Sequence, residues 1–178
     1  VSAGPAADGS GTARVAVRVT WRALRWDDPA AVTLRDAMDA DLAPRYEDLR
    51  AERERLRAAA VPGGPTTAPL TTEVLVSWVA FDGDVPVATA SLRRLADTGT
   101  FEVKRLFVAP THRRLGLAAA AVEAVEGSAR AAGIDRLRLQ TGVRQPEAVA
   151  LYERTGWRRI PPYAPYPDES SICFEKRL

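Results

Sequence analysis

The stretch from Phe101 to Gly133 constrains the fold more than any other part of this chain. It runs Phe-Glu-Val-Lys-Arg-Leu-Phe-Val over residues 101–108, then Ala109-Pro110-Thr111-His112, then Arg113-Arg114-Leu115-Gly116, and then an alanine-rich segment from Leu117. The first piece reads as a strand, yet Leu106, Phe107 and Val108 are apolar in succession. A bulge, or a strand buried on both faces, breaks alternation in that way. The alanine-rich piece predicts a helix over Leu117 to Ala132, with Glu123, Glu126 and Arg130 on one face and Gly133 as its stop. Two arginines just before a helix N-terminus are unfavourable, because that end already carries partial positive charge, unless an anion lies between them. Free amides from Arg114 through Ala118, with Gly116 allowing close approach, would cradle a phosphate or diphosphate. The competing reading leaves both arginines in solvent and Gly116 shaping a turn.

The remaining chain supplies further strands and helices. Residues 1–12 are small, polar and glycine-rich and read as a tail, leaving 13–178 as a single domain. Val15, Val17, Val19 and Trp21 alternate with Arg14, Arg18, Thr20 and Arg22 as a half-buried strand. Asp27 or Asp28 before Pro29 starts a helix that carries Leu34, Met38, Asp41 and Leu42 toward Pro44. Tyr46 to about Ala59 reads as a solvated, charge-dominated helix, and 61–69 as a loop within the domain. Thr72 to Phe81 and Val85 to Leu92 form a hairpin about Asp82-Gly83, and a turn at Asp97-Thr98-Gly99 leads into the 101–108 strand. Ile134 to Gln140 is a strand, Pro146 opens a helix that Gly156 ends, and Trp157 to Ile160 and Ser171 to Lys176 are strands. Hairpins early and strand–helix alternation late predict a mixed-sheet α/β or α+β domain.

Composition removes several classes of function. One cysteine (Cys173) and one histidine (His112) supply neither an intrachain disulfide nor a zinc site, and no metal is expected. The longest apolar run, Leu115 to Val122, is under half of a membrane span, and the first residues lack the basic and apolar regions of a signal peptide. A soluble, cytoplasmic protein without a membrane partner is the expectation. The 25 basic and 23 acidic residues leave a charge of +2, yet the pI is near 9.0. Almost nothing titrates between the carboxylates and the tyrosines, so a small excess moves the pI far. No aromatic-interleaved basic patch accompanies it, and no nucleic-acid partner is expected.

Two motifs carry a family resemblance. Arg113-Arg114-Leu115-Gly116-Leu117-Ala118, after a strand, resembles the Gln/Arg-x-x-Gly-x-Gly/Ala pyrophosphate loop of the GNAT superfamily of acetyl-CoA-dependent N-acetyltransferases. Gln145-Pro146 through Leu151-Tyr152-Glu153-Arg154-Thr155-Gly156-Trp157 is similar to that family's helix ending in Leu-Tyr-x-x-x-Gly-aromatic. Their separation and the element order from about Ala13 to Leu178 also match. Ala118 stands where glycine is frequent, and Gln145 where many members have asparagine.

The resemblance implies a central mixed, mostly antiparallel sheet flanked by helices, with acetyl-CoA as cofactor. It implies that the amides of Arg114, Leu115, Gly116, Leu117 and Ala118, with the Arg113 and Arg114 side chains, hold the diphosphate. The backbone of Leu106, Phe107 and Val108 would pair with the pantetheine, an N–H near Leu106 or Phe107 polarising the thioester carbonyl, and Gln145 would lie against the cofactor. Tyr152 matches the general acid; alone it would read as a core tyrosine. Glu102 is the general-base candidate, directly or through water; the alternative is a strand carboxylate paired with Lys104, Arg105 or another arginine. Cys173 reads as inert packing.

Acetyl transfer from a thioester to a neutral amine needs no covalent intermediate, so positioning and proton handling suffice. The expected acceptor is a primary amine of a small molecule, such as an amino acid, polyamine or antibiotic-like amine. A protein or peptide acceptor and a non-catalytic acyl-CoA sensor are the alternatives. Tyr163 and Tyr166, in the Pro/Tyr-rich stretch 161–167, either close over the substrate or belong to a polyproline-like surface loop. Lys104, Arg105 and Arg158 are candidates to pair with a substrate carboxylate. A monomer or homodimer is expected.

Overall fold

A computed structural model describes residues 18–49, 74–95, 99–163, 166 and 171–178, and the structural statements below concern these. The Asp28 side chain accepts a hydrogen bond from the Ala30 amide at 2.9 Å and Pro29 sits in the first turn, so α1 (Pro29–Leu42) begins where the sequence signals it. A 3-10 turn, Ala43–Tyr46, follows, and residues 47–49 are helical. The rest of the expected 46–59 helix, the 1–12 tail, the 61–69 loop and the Asp97-Thr98 turn lie outside the described residues.

The strands are β1 (Thr20–Leu24), β2 (Val74–Asp82), β3 (Val85–Arg94), β4 (Phe101–Val108), β5 (Arg136–Gly142), β6 (Arg158–Ile160) and β7 (Ser171–Arg177). Between β4 and β5 lies α2 (Leu117–Ala131), and between β5 and β6 lies α3 (Pro146–Arg154). The strands form one sheet in the order β1-β2-β3-β4-β5-β7-β6, antiparallel at every contact except β4 with β5. This is the mixed, mostly antiparallel sheet flanked by helices that the resemblance implies.

β3, β5 and β7 run on past their expected ends to Arg94, Gly142 and Arg177, and two other boundaries shift for local reasons. Asp82 still pairs with Val85, so the β2–β3 turn occupies Gly83 and Asp84, one residue later than predicted. The Ile134 amide donates to the Ala129 carbonyl at 2.9 Å, which makes Ile134 part of the helix exit and delays β5 to Arg136.

The two faces of the sheet differ in chemistry. On one, Val103, Leu137, Leu139 and Phe174 meet Ala121, Val122 and Val125 of α2 and Leu151 and Tyr152 of α3. Glu126 of α2 is buried among them rather than solvated; Lys176 Nζ reaches it at 2.7 and 2.9 Å and Arg130 at 3.3 Å. On the other face, α1 packs Ala31, Leu34 and Met38 on Val79, Phe81 and Phe107. Glu102 and Lys104 of β4, and Arg138 and Gln140 of β5, alternate with Val103, Leu137 and Leu139, so this second face is polar beyond α1.

Candidate functional site

The broken alternation in β4 is a bulge. Thr89 pairs with Phe107 and Ser91 with Lys104, so Arg105 and Leu106 together oppose Ala90. Arg105 takes φ 55°, a left-handed backbone that costs a non-glycine residue roughly 1–2 kcal/mol. The extra residue sends Leu106 into the α2/α3 core and Phe107 into the α1 core. Arg105 itself turns outward to Asp39 of α1, 2.8 Å away.

The same strand parts from its neighbour. β4 and β5 register at one pair, Glu102 with Arg138. One step further the contact passes to side chains, Lys104 Nζ donating to Gln140 Oε1 at 3.0 Å. Beyond the bulge Phe107 and Val108 keep their pairing with β3, while Leu106, Phe107 and Val108 have no pairing with β5. An edge of that kind accepts an extended, amide-bearing chain.

The loop leading into α2 is open and carries two left-handed residues. Residues 113–116 are exposed, Arg114 and Gly116 have φ 64° and 83°, and among the described residues no side-chain hydrogen bond caps the start of α2 at Gly116. A Cβ placed on Gly116 would meet nothing within 4 Å, so the space before the first-turn amides is open. Leu117 is buried and Ala118 half-buried, anchoring the helix start, while Leu115 is exposed. Arg113 is engaged within the protein: its Nε donates to the Val108 carbonyl at 3.1 Å and its Nη2 lies 2.9 Å from Asp41. Arg114 is exposed and has no ion-pair partner among the described residues.

Tyr152, on α3, is buried in the same core as α2 and Leu106, against Trp157 and Phe174 at ring separations of 6.0 and 5.6 Å. Burial pushes its phenol well above the ordinary tyrosine range. Its hydroxyl has no hydrogen-bond partner among the described residues. Gln145, just before α3, gives its Nε2 to the Tyr46 hydroxyl at 3.2 Å, and that hydroxyl packs onto Gly142.

Tyr46 belongs to a polar strap that sequence reasoning missed. Arg144 donates to the Arg45 carbonyl at 2.7 Å and holds Asp48 through both guanidinium nitrogens, while Arg45 pairs with Glu147. These contacts join residues 96 to 102 positions apart, tying the end of α1 to the β5–α3 loop. Gly142 is the one local signal, marking where a ring must approach the strand backbone.

Glu102 is fully buried. Arg93 Nε lies 2.8 Å from its Oε2, Tyr163 donates to Oε1, and Tyr166 donates to Oε2 at 3.3 Å. Its cation partner is thus Arg93 of the adjacent strand rather than Lys104 or Arg105. Tyr163 and Tyr166 meet edge to face at 5.6 Å, so these two residues of the 161–167 stretch fold onto the sheet. Burial and the Glu102 charge push both phenols up. Lys104 passes under the Tyr166 ring at 4.1 Å, and desolvation lowers it to about 8. Cys173 is buried, and burial raises its thiol, as inert packing requires.

Comparison with known proteins accords with this geometry. The model of the acetyltransferase (GNAT) family matches residues 34–157. An IAA acetyltransferase of Azospirillum brasilense is 44% identical over 81 residues, covering 45% of this chain and 53% of that protein. The chain thus spans about half the length of that relative. A Klebsiella pneumoniae protein provisionally named an acyl-CoA N-acyltransferase superposes with TM-score 0.67 at 27% identity, covering 91% of this chain and 99% of its own. The PaiA N-acetyltransferase of Thermoplasma acidophilum, solved with coenzyme A, superposes at 0.61 over 90% and 99% of the two chains; at 16% identity it shares the fold.

Proposed function

Because this chain belongs to the acetyltransferase (GNAT) family, we propose that it transfers the acetyl group of acetyl-CoA to a primary amine of a small molecule by direct attack. The observation that carries this is the bulged edge of β4, parted from β5 and followed by the uncapped amides of α2. Acetyl-CoA, when bound, supplies an acyl carbon already activated as a thioester.

The amides of Arg114, Leu115, Gly116, Leu117 and Ala118 and the Arg114 guanidinium take the diphosphate. Arg113 contributes by fixing the loop to Val108 and Asp41. The free backbone edge of Leu106, Phe107 and Val108 pairs with the pantetheine amides, and the Leu106 or Phe107 N–H faces the carbonyl oxygen as negative charge develops on it. Tyr152 returns the proton to the departing thiolate. Burial raises its phenol, and the same apolar surroundings raise the basicity of a thiolate beside it, which keeps the transfer close to balanced.

Both oxygens of Glu102 are taken, so it draws the amine proton through a hydrogen-bonded hydroxyl or water rather than by contact. Gln145 orients the start of α3 through Tyr46. Tyr163 and Tyr166 folded over Glu102 favour a closed acceptor side over an open peptide groove. The test is thiol release from acetyl-CoA over amino acids, polyamines, aminoglycosides and peptides. Release with a small amine supports the reading; release with peptides alone redirects it, and CoA-dependent thermal stabilisation without release from any amine makes the chain a sensor.

A further inference from the structure

Among the described residues, the polar face beyond α1 carries more cations than anions. Glu175 lies 3.2 Å from Arg138, 3.6 Å from Arg158 and 3.7 Å from Arg136, so three guanidinium groups share one carboxylate. Glu102 is matched by Arg93. Adding Lys104, five cations face two carboxylates among the described residues. Of the three side chains that the sequence offers for a substrate carboxylate, Arg105 is held by Asp39 and Arg158 by Glu175. Lys104 has no carboxylate within ion-pair distance among the described residues. Its partners are Gln140 Oε1 and the face of Tyr166.

An ammonium carries three donors, and one is hydrogen-bonded among the described residues. Removing such a charge from water without a counterion is unfavourable. Desolvation is the leading perturbation of this lysine; the Glu102 charge, beyond ion-pair distance, favours its ionised form, and the Arg93 and Arg105 charges oppose it. Lys104 stands one step past the last β4–β5 pair and directly before the bulge, where the acyl carbonyl is placed under the proposed function. A polycationic acceptor meets repulsion at this point, whereas an anion on the acceptor completes the unfilled donors.

We propose that Lys104 anchors a carboxylate on the acceptor, so that the substrate class is amines that also bear a carboxylate, amino acids among them, rather than polyamines or aminoglycosides. One ammonium matches a monoanion. The inference rests on the proposed acetyl transfer, and the experiment separates the two. Thiol release is compared for amino acids, their decarboxylated amines and spermidine. Calorimetric binding of the same compounds to the CoA-loaded full chain runs in parallel.

The expected result is a preference for the amino acid over its decarboxylated amine of about 10- to 100-fold in kcat/KM, as a charge-assisted contact supplies. In Lys104→Met that preference collapses toward unity, and in Lys104→Arg part of it returns; a structural lysine would move both substrates together. Equal turnover of the decarboxylated amines, efficient turnover of spermidine, or a uniform loss in Lys104→Met overturns the inference and leaves acetyl transfer standing. If no amine releases thiol, the proposed function falls and calorimetry decides the anchor. Carboxylate-dependent binding that Lys104→Met abolishes upholds it; binding indifferent to either carboxylate or lysine, or no binding, overturns it.

Discussion

Replacing Gly142 by alanine tests how the end of α1 is set against the splayed strands. The added Cβ would lie 1.9 Å from the Tyr46 hydroxyl oxygen, 2.8 Å from Cζ and 3.2 Å from Cε1. No rotation about a single terminal atom relieves three ring contacts, so Tyr46 must leave its place. Overpacking of this kind costs about 1–3 kcal/mol, and losing the Gln145–Tyr46 hydrogen bond adds about 0.5–1.5 kcal/mol. The total of roughly 2–4 kcal/mol corresponds to a fall in Tm of about 5–15 °C for a chain of this length. Thermal unfolding followed by circular dichroism reads it directly. In a Tyr46→Ala background the same substitution meets no ring, and is expected to be neutral or to stabilise by a few tenths of a kcal/mol to about 1 kcal/mol. A Gly142→Ala protein that melts within about 2 °C of the parent, or an equal penalty in both backgrounds, refutes the packing of Tyr46 on β5.

Three further outcomes follow from the site. Tyr152→Phe keeps the buried ring and its two aromatic contacts, so CoA affinity and Tm stay near the parent values while kcat falls by about 10²-fold or more; stopped-flow thiol release and calorimetry check the two halves. Gly116→Ala meets no neighbour but sits at φ 83° and intrudes on the cradle, so the chain folds with a loss of roughly 1–2 kcal/mol while CoA dissociation rises several-fold by calorimetry. Lys104 is lowered to about 8 in the folded chain from its usual 10.5. The unfolded chain therefore binds more protons between those values, and stability rises with pH from about 8 to 10.5. Denaturant melts across that range, parent minus Lys104→Met, show this slope; a flat difference removes the desolvated ammonium.

What the sequence revealed came from signals within a few residues of each other. Asp28-Pro29 marked the start of α1, and the apolar run Leu106-Phe107-Val108 marked the bulge, although the residue that takes the left-handed backbone, Arg105, has no sequence tell of its own. The Arg-Arg-Leu-Gly loop likewise announced an open helix start. The split of labour between its arginines did not show, because Asp41, which claims Arg113, lies 72 positions away on α1. Glu102 and Arg93 sit directly opposite each other on the turn side of the bulge, and ending the third strand at Leu92 is what left Arg93 out of the expected pairing. The strap through Arg45, Asp48, Arg144 and Glu147 spans almost 100 positions and depends on charges that, read locally, are ordinary surface residues.

The single backbone register between β4 and β5 has a mechanical meaning for the whole molecule. β1 to β4 form one leaf and β5, β7 and β6 another, and along the sheet itself the leaves are stitched by the backbone register of Glu102 with Arg138 and by the Lys104–Gln140 side-chain hydrogen bond. Under the proposed function, a cofactor lying along the seam would act as a short strand shared by both leaves, linking occupancy to cooperativity as well as to chemistry. At a hundredfold excess over Kd such a ligand adds about 2.7 kcal/mol to the folded state. Amide exchange in β5 and β7 is then a direct gauge of whether the seam is sewn.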